Sequence, residues 1–193
     1  MTHGFTYSFA HRAAHWLTAA IMAAAFALVW IREVVEDTAL RTDLITWHRA
    51  AGLAVLGLAL WRLALRAKDG AAPPLPGQPR LQALAASLVH GGLYVLMLIQ
   101  PLLGWAYISA KGKSFDIGPL HLPALLSKSP QLAELTGELH EGVGAVLATA
   151  IALHLAATAY HALWRREPIL ARMLPAARTT APHGPILSGE QQP

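Results

Sequence analysis

The chain has 193 residues and a formal net charge of +4, is 54% hydrophobic and only 13% charged, and contains no cysteine. That balance excludes an ordinary soluble domain, in which about a quarter of residues are charged. The missing thiols exclude disulfides, cysteine-held iron–sulfur clusters, thiolate zinc sites and the covalent attachment of c-type haem. A sequence pI near 9.8 resembles that of a nucleic-acid binder, but in a membrane protein it reads as basic cytoplasmic loops beside anionic lipid.

Residues 1–12 form a short polar segment ending at Arg12. From 13 to 31 no residue carries a fixed charge, which is long enough to span a bilayer. A cleaved signal peptide is the rival reading, but the run exceeds a usual signal core and three more spans follow. His15 stands in the first turns. Residues 32–43 form a charged loop, and a second span runs over 44–65 with His48 near its start and Arg49 and Arg62 near its ends. Four prolines and two glycines in residues 66–80 bar a helix. The third span covers 87–109, with His90 near its beginning and Pro101 expected to kink it. Residues 111–139 read as the longest loop, irregular at first, then with one or two short amphipathic helices on the membrane surface. The fourth span covers 140–164 and stops at Arg165 and Arg166. Residues 165–193 are the tail, whose composition from 175 onward predicts disorder.

The expected fold is all-α: a four-transmembrane-helix bundle over 13–164, with both termini on one side. The side holding 1–12, 66–80, 165–193 and Arg62 carries nine Lys/Arg against six on the other. This excess places both termini in the cytoplasm. Tryptophans 16, 30, 47, 61, 105 and 164 lie mostly near span ends, as an interfacial belt would.

The histidines carry the functional signal. His140, His154 and His161 share one stripe of the fourth helix, and His140 and His154 are ~21 Å apart along it. Alternating helix directions put His15 level with His154 on the inner side, and His48 level with His140 on the outer side. Low-spin b-type haem needs two trans imidazoles from different helices, each with a nitrogen free for iron. Two such pairs call for two haems b, one above the other: His15 and His154 on the inner iron, His48 and His140 on the outer. Interfacial histidines, a closed zinc site using His11 and His15, and a transporter proton relay are the competing readings. Closed zinc sites need four ligands at one level, and proton relays usually show intramembrane carboxylates, absent here. His90 and His161, on the inner side, read either as interfacial residues or as the lining of a quinone pocket, with Arg80 and Lys68 nearby. His121 and His183 receive no role.

Several short stretches together resemble the bacterial cytochrome b561 family over about residues 5–175. They are Y-S-x-x-x-R-x-x-H-W at Tyr7–Trp16, W-H-R-x-x-G at Trp47–Gly52, H-x-x-x-Y at His90–Tyr94 and P-L-L-G at Pro101–Gly104. L-H-E at Leu139–Glu141, H-x-x-A-x-x-x-H at His154–His161 and the closing I-L-A-R-M-L-P complete the set. The resemblance implies four transmembrane helices, two haems b on His15, His48, His140 and His154, and ubiquinone as acceptor in the bacterial inner membrane. It also implies superoxide as the outer electron donor. The outer loops hold six basic and eight acidic residues, a poor lure for an anion, although Arg32, Arg41, Arg49, Lys111 and Lys113 offer a local positive funnel. The alternative is a membrane-anchor or electron-relay cytochrome b subunit of a larger dehydrogenase or hydrogenase, docked through the 111–139 loop.

Overall fold

The computed structural model describes residues 5–74 and 77–174; the expected disorder from 175 onward lies outside the described residues. Four long helices dominate: α1 (Phe9–Val34), α2 (Thr38–Asp69), α3 (Arg80–Ala110) and α4 (Pro130–Ala159). All four are long and apolar enough to cross a membrane. Their outward faces carry exposed Leu88, Val95, Val146, Leu153 and Leu155. Such a surface suits lipid, which replaces the buried core that a soluble bundle of this size needs.

The helices run past the uncharged stretches. α2 begins at Thr38 because Asp37 caps it, its carboxylate accepting from the Leu40 amide at 2.7 Å. α2 continues to Asp69 and stops at Gly70, whose φ of +79° suits a residue without Cβ. α3 starts at Arg80 and remains one helix through Pro101.

The segment 111–139 differs from its expected form. Residues 115–122 make a small antiparallel hairpin, β1 (Phe115–Ile117) with β2 (Leu120–Leu122), in which Asp116 faces His121. That pair is bonded side chain to side chain at 2.7 Å. Hydrogen bonds from Ser114 and then His121 hold the Asp116 carboxyl below its ordinary range. Residues 130–139 are the first turns of α4 instead of separate surface helices. Ser129 caps them and Pro130 occupies the first turn, where its missing N–H costs nothing.

α1 packs mainly on α2, and α3 on α4, with α2 and α3 joining the two pairs. Between them lies a small apolar core of Met22, Val55, Ala59, Met97 and Leu147. At one end, Tyr7, Arg12 and Trp16 donate to the carbonyls of Arg172, Leu174 and Met173 at 2.8–3.2 Å. Arg172 in turn reaches the Pro73 carbonyl at 2.9 Å. The segments around Tyr7–Trp16 and Arg172–Leu174 and the α2–α3 link therefore share one end of the bundle, and the hairpin lies at the other.

Candidate haem sites

The seam between α1–α2 and α4 has little close backbone approach, and histidines reach across it at two depths. At the hairpin end, His48 of α2 and His140 of α4 have ring centroids 6.1 Å apart. At the terminal end, His15 of α1 and His154 of α4 are 6.5 Å apart. A metal–imidazole bond of about 2.0 Å, with the ring centre about 1.1 Å behind the nitrogen, would put two imidazoles on opposite sides of one metal ~6.2 Å apart. Both spacings suit one metal between two rings. The four rings are half-buried, and the apolar core lies between the two levels.

At the hairpin end the hydrogen bonds fit as well. His48 Nδ1–H donates to the Ala25 carbonyl at 2.9 Å, and His140 Nδ1–H donates to the Gln100 carbonyl at 3.0 Å. Tying each Nδ1 this way fixes the ring and leaves Nε2 as the nitrogen without a proton, the one that could bind a metal; at His140 the Gln100 amide also approaches Nε2, at 3.4 Å. Gln100 also donates from Nε2 to the His140 carbonyl at 2.8 Å, which locks α3 to α4 at this level. Gly104 makes room: a Cβ there would lie 3.0 Å from His140 Cε1.

The terminal-end pair has a different environment. Arg62 Nη2 donates to His15 Nδ1 at 3.1 Å, and its guanidinium lies over the Tyr94 ring at 5.2 Å. Iron on His15 Nε2 would put the ring proton on Nδ1, so that Arg62 would have to turn to another acceptor. His90 lies 5.3 Å from His154, shorter than the trans spacing. It is exposed, and its Nδ1–H is spent on the Ala86 carbonyl of its own helix at 2.6 Å. Geometry therefore favours His15 over His90 as the partner of His154.

The remaining candidates scatter. His161 bonds Glu167 at 2.6 Å instead of pairing with His90. His11 contacts Ser8 at 3.0 Å and Asp69 at 3.6 Å. Among the described residues no group of three or more His, Asp or Glu gathers as a metal site. Of the basic residues expected to form a positive funnel, Arg32 pairs with Glu33 at 2.6 Å, and Lys111 lies over the Tyr107 ring at 4.5 Å. Sequence reasoning assigned no site role to Gln100 or Glu167, nor to Arg62, read as a residue near a span end, nor to Gly104, read as the close of a short motif. The only visible signal for Gln100 was one amide in the apolar run before Pro101.

Residues 6–176 match the family described as prokaryotic cytochrome b561. Among similar proteins, cytochrome b561 homolog 1 of Escherichia coli (strain K12) is 27% identical over 83% of this chain and 92% of its own length. Cytochrome b561 homolog 2 of the same organism is 27% identical over 87% of this chain and 90% of its own. An apolar four-helix bundle with histidines paired across it, matched over nearly its whole length, belongs to the prokaryotic cytochrome b561 family: it is a multi-pass bacterial membrane protein of electron transfer, with haem b as its cofactor.

Proposed function

We propose that the chain holds two haems b and moves electrons across the bacterial inner membrane, from superoxide on the periplasmic side to ubiquinone near the cytoplasmic face. The observation that carries this reading is the pair of histidine spacings, 6.1 and 6.5 Å, at two depths of one bundle. Haem iron, when bound, supplies one-electron redox chemistry. The rest is the work of the chain's residues. His48 and His140 would hold the outer iron, each donating its Nδ1–H, to the Ala25 and Gln100 carbonyls respectively. His15 and His154 hold the inner one. Met22, Val55, Ala59, Met97 and Leu147 exclude water from the space between.

The excess of basic residues on the end with both termini supports a cytoplasmic placement of that end. His161 and His90 lie toward it, and imidazoles near a membrane surface can both donate to a quinone carbonyl and exchange protons with water. At the other end Arg41, Arg49, Lys111 and Lys113 offer positive charge for an anionic donor, although Arg41 also donates to the Val35 carbonyl at 3.1 Å.

The test is quinol formation by purified protein given enzymatically generated superoxide and decylubiquinone. Rapid quinol formation, absent without the protein and suppressed by superoxide dismutase, is the expected result. Reduction only when a co-purified partner supplies electrons would replace this reading with the relay subunit, for which the hairpin at 115–122 offers a docking feature.

A further inference from the structure

After Ala159 the fourth helix widens into a single π-helical turn, Tyr160–Trp164, and breaks at Arg166, whose φ is +53°. A left-handed arginine is costly for a residue with Cβ, and π-turns recur at functional sites. Here the distortion has a definite result. It folds the chain back so that the Glu167 amide donates to the His161 carbonyl at 3.0 Å. The Glu167 carboxylate then accepts from His161 Nδ1–H at 2.6 Å, and its other oxygen accepts from Arg165 Nε at 3.2 Å. Both side chains are largely covered, 17% exposed for His161 and 23% for Glu167. An undistorted α-helix would carry position 167 onward along the axis and away from this ring.

We infer that Glu167 is a positioning residue for proton delivery by His161. This rests on the reading of His161 as part of a quinone site. With Nδ1–H held by the carboxylate, Nε2 is the one ring atom left to exchange a proton with a bound molecule. Reduction of a quinone takes up two electrons and two protons. The electrons come through the protein's electron-transfer activity. One proton leaves His161 Nε2–H for a quinone carbonyl oxygen; the ring becomes neutral, keeping its Nδ1 proton in the hydrogen bond to Glu167, and then regains a proton at Nε2 from water. The second proton comes from solvent. The carboxylate balances the charge of the doubly protonated ring. Among the described residues, the groups that face this ring are Glu167, Arg165 behind that carboxylate, and the Tyr160 ring at 5.5 Å. The His161 hydrogen bond, then Arg165, holds the Glu167 carboxyl below its ordinary range, so it stays ionised at neutral pH.

The experiment is stopped-flow reoxidation of dithionite-reduced holoprotein by decylubiquinone, from mildly acid to mildly alkaline pH. In Glu167→Gln the amide oxygen still accepts from Nδ1–H but the negative charge is gone. The alkaline fall in rate is expected to move about one pH unit toward acid, with haem content unchanged. The same substitution in a His161→Ala background is expected to change nothing. Superimposable profiles for wild type and Glu167→Gln, an equal shift in the His161→Ala background, or loss of haem in Glu167→Gln would each overturn the assignment. If His161→Ala itself leaves the rate unchanged, the quinone reading fails first. If His161→Ala is slow and Glu167→Gln is not, only the role of Glu167 fails.

Discussion

His154→Ala is expected to remove the haem at the terminal end and leave the one at the hairpin end in place, so that haem content falls from two per chain to one. Alanine offers no nitrogen, and His15 alone cannot complete a bis-imidazole site. The other pair is insulated from the change, because His48 and His140 take their orientation from Ala25 and Gln100, on α1 and α3. His140 does share α4 with His154, but ~21 Å of helix and the apolar core separate them. The measurement is haem per chain, with a reduced-minus-oxidised spectrum to show which signal remains. Loss of both haems, or of neither, would count against the pairing. Retention of both would point to His90, the nearest spare imidazole at 5.3 Å.

His161→Ala should keep both haems and slow quinone reduction by about 100-fold, the scale of a lost general acid. The two halves of this expectation separate the roles of the histidines on α4 and its extension. His161 follows His154 by seven residues, and its ring is engaged with Glu167. Its removal therefore leaves the His15–His154 pair intact. The rate of decylubiquinone reduction, normalised to haem, checks it. An unchanged rate would leave His161 as an interfacial side chain.

The four apolar runs were legible because each is a long stretch without fixed charge, and the approach of the histidine rings, 6.1 and 6.5 Å, could be anticipated from helix direction. A helix that alternates direction across a bilayer assigns every residue a depth, and depth was enough to match His15 with His154 and His48 with His140. Helix ends were less legible. The stretches 38–43 and 80–86 hold charges or lie beyond the span, yet they continue as helix because capping and backbone bonding do not stop at the membrane surface. Residues 130–139 looked like a separate surface helix because Glu134 and Glu138 interrupt the apolar run, but nothing there breaks the helix. Apart from those ring approaches, contacts that cross between helices were not legible. Gln100 carries no mark of its bond to α4, and Glu167 meets His161 only because the chain turns through Arg166.

The central claim is that four histidines hold two haems b in one bundle. The most direct measurement is haem content per chain, by pyridine haemochrome on detergent-purified protein made with ample haem supply. Two b-type haems per chain is the expected result. One would mean that a histidine pair is wrongly matched, and none would contradict the four-ligand scheme outright.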